Sequence, residues 1–167
     1  MAKLIVFSGP PGVGKSTLSY KLARKAGWAI ITRDAIDRGI EKIETVNPKT
    51  GYEIIFELGK LNLQNNVSVV LDAVFTKEPL RDRITEVGNQ TNAEAFYIIC
   101  TCSNEKEWKR RIETRPEVVE GWTPADWQEV QRVQKIYTKW NKPHLVLDAM
   151  DDLEDNFEKL LAYIGFK

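Results

Sequence analysis

Cysteine and histidine are almost absent: the 167-residue chain has two cysteines, Cys100 and Cys102, and one histidine, His144. Two cysteines two apart on one strand share a face and make a poor disulfide. No further Cys or His cluster completes a ligand set, so the thiols are expected to be reduced core residues and His144 structural, which argues against a zinc or redox site. An excess of one charge is missing too, with 24 Lys plus Arg against 24 Asp plus Glu. Non-specific binding to nucleic acid or to an anionic membrane usually needs a basic excess, so neither partner is favoured, although a local basic patch remains compatible with this balance. Long apolar runs are also absent. The opening "MAKLIVFSG" is too short for a signal peptide or a membrane span, and the expectation is a soluble, cytoplasmic protein with no membrane partner. There is no repeat, low-complexity tract or linker, so a single domain over 1–167 is expected, long enough to bury its own core.

Short apolar runs do alternate with segments of helical period, the pattern of a parallel sheet covered by helices on both faces. The expected strands are 3–8, 28–32, 67–72, 95–101 and 144–148, all rich in branched or aromatic residues. Leu18 and Leu22 begin a helix that Gly27 ends, and Ile36, Ile40 and Ile43 mark a second one. Ile54, Leu58 and Leu61 form a third after the turn-like "NPKTG"; Leu80, Ile84 and Val87 form a fourth, begun near Pro79 and closed by Gly88. Trp108 and Ile112 lie on a fifth, capped by Ser103. Thr123, Pro124 and Asp126 start a sixth ahead of Trp127, Val130 and Val133, and Leu153, Phe157, Leu160 and Ile164 mark the last. Trp28, Phe7 and Trp127 read as core residues, whereas Trp122 falls in a presumed loop.

The segment Gly9, Pro10, Pro11, Gly12, Val13, Gly14, Lys15, Ser16, followed by Thr17, fits G-x-x-x-x-G-K-[ST] without mismatch. It follows an apolar strand and opens a helix, so backbone N–H groups and the positive helix end point at phosphates. Gly12 and Gly14 permit backbone angles a side chain would forbid. In this geometry Lys15 bridges the β and γ phosphates, Ser16 ligates Mg²⁺ and Thr17 reaches the α phosphate. The expected ligand is therefore ATP or GTP with Mg²⁺.

In an open parallel sheet, ligands bind beyond the carboxyl ends of the strands. Two acids arrive there: Asp34 after the second strand and Asp72 after the third. Asp34 is a candidate base for an attacking hydroxyl, with helix capping as its structural alternative. Asp72 has the place of a Walker B acid and is the second expected metal residue. Ala73 follows it, not the glutamate that activates water in many motor ATPases, which favours transfer to a bound hydroxyl. Arg111 and Arg115, four apart on one helical face, are placed to neutralise the transferred phosphoryl group from a lid at about 110–125, although Glu107 and Glu113 offer them and their neighbours local partners.

The stretches "GPPGVGKST", "TRDAIDRGI", "VVLDAVFTKEPLR" and "CTCSNEKEWKRRIETRPE" together resemble the small P-loop kinases related to the kinase half of phage polynucleotide kinase, a group that includes predicted kinases described only as AAA-domain proteins. The resemblance covers nearly the whole chain. It implies an α/β P-loop NTPase fold, a three-layer α/β/α sandwich with a five-stranded parallel sheet in the order 2-3-1-4-5 and a small helical lid. It further implies ATP as donor, Asp34 as general base, Arg111 and Arg115 on the donor phosphates, and an acceptor near Ile36 to Leu61. One departure stands out. Polynucleotide kinases place an arginine three residues after the catalytic acid, where this chain has Asp37, with Arg38 one place later and so turned by about 100° on the helix.

Asp37 and Arg38 are then the candidate acceptor residues, with a sugar, polyol or antibiotic hydroxyl favoured over a polynucleotide end. The leading expectation is an ATP- and Mg²⁺-dependent phosphotransferase acting on a small-molecule hydroxyl. The alternatives are a polynucleotide 5′-hydroxyl kinase, a toxin-like nucleotide-sugar kinase, or a nucleotide-binding switch with slow ATPase activity.

Overall fold

Alternate residues of β1 (Lys3–Ser8) serve two different cores, which is why the strand reads as one continuous apolar run. Leu4 and Val6 pack into one buried cluster and Ile5 and Phe7 into the other. The structure is a computed structural model that describes residues 1–43, 47–115 and 125–166. β1 lies at the centre of a five-stranded parallel sheet with β2 (Ala29–Thr32), β3 (Val69–Asp72), β4 (Glu94–Thr101) and β5 (Leu145–Asp148), in the order β2-β3-β1-β4-β5. This is the expected order 2-3-1-4-5.

Helices cover both faces. One core joins β1, β4 and β5 to α1 (Lys15–Ala26), α5 (Glu105–Glu113), α6 (Trp127–Ile136) and α7 (Leu153–Tyr163) through Leu22, Trp108, Ile112, Val130, Phe157 and Leu160. The other joins the sheet to α3 (Pro48–Gln64) and α4 (Glu78–Thr91) through Ile55, Phe56, Ile84 and Val87, with Ile36 of α2 (Arg33–Glu41) at its margin. Among the described residues no helix is long and apolar enough to cross a membrane.

Several local expectations need correction, each for a physical reason. Asn47 caps α3 through its side chain and Pro48 begins the helix, so "NPKTG" is a helix start and not a loop. On α3 the buried face carries Ile55, Phe56, Gly59 and Leu63, while Leu58 and Leu61 are exposed. Gly59 decides the facing: a Cβ there would stand 3.3 Å from Leu71, so this side can approach the sheet most closely. Ile43 lies beyond α2 and is 85% exposed.

Gly88 is buried inside α4, which continues to Thr91 and ends at the left-handed Asn92. Asn104, and not Ser103, caps α5, because its side chain reaches the Glu107 N–H. Asp126 is itself the cap of α6, bonded to the Glu129 N–H, whereas Trp122, Thr123 and Pro124 lie outside the described residues. Trp28 precedes β2 and packs edge-on against Phe166. Cys100 is buried and unbridged, its thiol pushed up to about 12 by burial, which fits an inert core residue.

Candidate active site

The loop between β1 and α1 takes its shape from backbone angles only glycine adopts readily. Gly12 and Gly14 have φ of +79° and +80°, and Gly14 stands directly before α1. A Cβ on Gly12 would also lie 2.3 Å from the Ile112 side chain, so α5 can rest on the loop only because that position is bare. Trp108 of α5 donates its indole N–H to the Pro11 carbonyl at 2.9 Å. The helix that carries Arg111 is thus fastened to the loop. Lys15, 8% exposed, donates to the Pro10 carbonyl at 2.8 Å, which folds its ammonium over the loop. Val13 is buried in the core beneath, and Gly9, which follows the last residue of β1, joins the strand to the loop.

A cavity of about 380 Å³ opens above this loop. Pro11, Gly12, Gly14, Lys15, Ser16 and Thr17 form its floor. Asp34 and Asp72 arrive from the ends of β2 and β3, and Arg111 and Arg115 from α5 and its exit. Strand register explains the meeting: Thr32, the last residue of β2, is level with Asp72, which is level with Phe7 at the mouth of the loop. Every residue expected to handle phosphate or metal therefore belongs to this cavity or to the loop beneath it.

Asp34 stands in the first turn of α2, but the cap is Thr32, whose hydroxyl accepts the Ala35 N–H at 3.2 Å. Capping is consequently not the task of the Asp34 carboxylate, which is exposed at the cavity. Asp72 is 4% exposed, and burial pushes its carboxyl above the usual carboxylate range, while the Lys15 ammonium and the Ser19 and Ser16 hydroxyls pull the other way. Ser19 donates to it at 2.8 Å.

A carboxylate beside the Ser16 hydroxyl at the edge of the cavity fits Mg²⁺, which takes few protein ligands and keeps water and phosphate oxygens for the rest of its shell. Among the described residues no group of three or more His, Cys, Asp or Glu side chains is placed to hold a metal ion.

Arg111 donates to Glu107 at 2.9 Å and to the Ala149 carbonyl at 3.0 Å, and Arg110 shares the same glutamate. These contacts, Arg110 first, hold the Glu107 carboxyl down to about 2. Arg111 also lines a second cavity of about 200 Å³ beside Thr17, Leu147 and Asn156, so it forms the wall between the two. Most of the expected lid, 116–124, lies outside the described residues.

Neither Asp37 nor Arg38, the candidate acceptor residues, is among the described residues that line the cavity. Asp37 accepts instead from Arg33 Nε, one turn earlier on α2, at 2.8 Å. Arg33 is the residue the sequence reading passed over. It precedes Asp34, lines the cavity, and lies over the Tyr52 ring with 4.4 Å between guanidinium carbon and ring centroid. Its spacing to Asp37, i to i+4, was the available signal.

Known proteins resemble this chain in sequence and in fold. The chain is 25% identical to adenylate kinase of Thermus thermophilus over 154 residues, 86% of this chain and 81% of that one. It is 32% identical to the replication factor C large subunit of Thermococcus kodakarensis over 120 residues, 71% of this chain, yet it spans only 22% of that protein's length. A sugar kinase from Janibacter sp. HTCC2649 superposes with a TM-score of 0.76 at 17% identity, over 99% of this chain and 95% of that one; at that identity the likeness is one of fold. The profile of the AAA_33 family, described as an AAA domain, matches residues 4–139, phosphate loop and arginine helix included, and the chain belongs to that family.

Proposed function

We propose that the protein is an ATP-dependent phosphotransferase that moves the γ-phosphate to a hydroxyl of a small molecule. The observation that carries this reading is the Asp34 carboxylate, relieved of capping by Thr32 and opening into the same cavity as Lys15, Ser16, Arg111 and Arg115. Backbone N–H groups of the loop and the start of α1 cradle the phosphates, and Lys15 neutralises the β and γ groups. Ser16 and Asp72 would hold Mg²⁺, whose charge adds to that neutralisation. Asp34 accepts the proton of the acceptor hydroxyl as its oxygen bonds to the γ-phosphorus. The bond from that phosphorus to the β,γ-bridging oxygen breaks, and ADP leaves with the electron pair. Arg111 and Arg115 stabilise the charge spread over the transferring group.

The likeness to an adenylate kinase and a sugar kinase supports phosphoryl transfer from ATP. A polynucleotide acceptor is less well served, since Arg38 does not line the cavity and Asp37 is engaged by Arg33. The second reading is a nucleotide switch that hydrolyses ATP slowly, which would use the same phosphate loop. One experiment separates the two. Labelled γ-phosphate from Mg-ATP is offered to 5′-hydroxyl oligonucleotides and to a metabolite extract, with wild type and Asp34→Asn. Label on an acceptor, reduced about 100-fold or more in the variant with ATP affinity retained, supports Asp34 as base. Free phosphate released equally by both proteins supports the switch.

A further inference from the structure

We infer that Ser8 and Tyr137 are positioning residues of the transfer reaction, whose hydroxyls fix the backbone of Val74 on the proposed acceptor side of the cavity. This rests on the kinase reading above. Val74 lines the cavity with Asp72 and Ala73, just past the end of β3. Its carbonyl accepts from the Ser8 hydroxyl at 2.6 Å, and Ser8 is the last residue of β1, directly before the phosphate loop. The Ser8 oxygen lies 2.6 Å from the Tyr137 hydroxyl, which in turn lies 2.9 Å from the Trp140 indole nitrogen.

The two ends of this chain of bonds leave its protons a single arrangement. An indole N–H can only donate and a carbonyl can only accept, so Trp140 donates to Tyr137, Tyr137 to Ser8 and Ser8 to Val74. Burial pushes the Tyr137 phenol up, so its hydroxyl keeps the proton it donates. Bonds that point the same way polarise and strengthen one another. Ser8 is fully buried and Trp140 nearly so, which leaves water little part in the chain.

The backbone held in this way does not keep its shape unaided. Phe75, next to Val74, is fully buried at φ +46°, a conformation that a non-glycine residue keeps only where its surroundings impose it. Three successive carbonyls here accept from groups outside the segment. Val74 is held by Ser8, Phe75 by Arg81 Nε, and Thr76 by Arg81 together with the backbone N–H and the hydroxyl of Thr138. The same guanidinium donates to the carbonyls of Thr138 and Lys139 and lies over the Trp140 ring. Arg81 thus joins the exit of β3 to the residues that follow α6. Of the three carbonyls only that of Val74 belongs to a residue of the cavity wall, and it is the one that Ser8 and Tyr137 serve.

The test measures labelled phosphate passed from Mg-ATP to a metabolite extract, titrating ATP and extract in turn. It uses wild type, Ser8→Ala, Tyr137→Phe and the double variant, with thermal melting as the control for folding. In Ser8→Ala the extract concentration for half-maximal rate is expected to rise about fivefold, the worth of one buried hydrogen bond, while that for ATP stays in place. Tyr137→Phe keeps the ring and the Ser8–Val74 bond, so it shifts the same quantity by less, and it decides the test alone if Ser8→Ala melts below the assay temperature. The double variant should be no worse than Ser8→Ala, because both hydroxyls act through one carbonyl. Half-saturation by extract that neither variant moves, with any loss of rate following the loss of folded protein, makes the chain an element of the fold alone and overturns the inference. Effects that add in the double variant, or an ATP requirement that rises in step with that for extract, overturn it as well and leave the kinase reading standing. Free phosphate with no labelled acceptor from wild type removes the kinase reading, and this inference with it.

Discussion

The two walls of the cavity are built in opposite ways. The proposed nucleotide wall is one run of nine residues, Gly9 to Thr17, whose backbone N–H groups would cradle the phosphates. The opposite wall, the proposed acceptor side, is assembled from separate elements: Arg33 and Asp34 from α2 and Asp72, Ala73 and Val74 from β3 and its exit, with Gly51 and Tyr52 of α3 packed behind Arg33. Backbone recognition needs glycines at set places and tolerates variation elsewhere, whereas side-chain recognition depends on which residues the fold brings together. The first wall suits a ligand common to many proteins; the second can be rebuilt for a particular acceptor by changing a few side chains.

Three substitutions probe that contrast. Lys15→Ala strikes the nucleotide wall and should have the largest effect, a loss of phosphoryl transfer of about 10²–10³-fold or more, since one preorganised charge at the transferring group is removed. Its circular dichroism and melting should stay near wild type; transfer at the wild-type rate would refute the role. Gly51→Ala strikes behind the acceptor wall alone. The new Cβ would push into Arg33 and Asp37, so stability should fall by about 1–3 kcal/mol and the acceptor KM should rise while ATP affinity is kept. An equal loss of ATP affinity would show that the walls are mechanically one.

Trp108→Phe keeps the ring packed against Trp127 but removes the hydrogen bond to Pro11. About 1 kcal/mol, or roughly fivefold in ATP affinity by titration, is the expected change. No change would mean that the glycine angles alone set the loop.

The same contrast runs through what was legible beforehand. The parallel α/β pattern, the phosphate loop and the place of Asp34 and Asp72 could be read because each depends on residues near one another in the chain, whereas the strand order was available only through the resemblance to the small P-loop kinases. Helix facings and caps were read less well. On α3, two apolar stripes compete, and the small Gly59 against Leu71 selects between them. At α2, Thr32 and Asp34 both have side chains able to cap, and the turn geometry gives the task to Thr32.

Asp37 shows the limit most clearly. Its position in the sequence suggested direct contact with an acceptor, yet a carboxylate one turn from a guanidinium pairs with it first. That pairing promotes Arg33, a residue with no motif of its own, to the cavity wall.

By itself the sequence determined the parallel α/β arrangement and the phosphate loop, because apolar periodicity and glycine placement act over a few residues at a time. Only the tertiary structure decided that Arg33 lines the cavity while Asp37 pairs with it, and that Trp108 ties the arginine helix to the loop. Those outcomes depend on distances between side chains far apart in the chain, which the packing of helices on the sheet sets and local pattern does not contain.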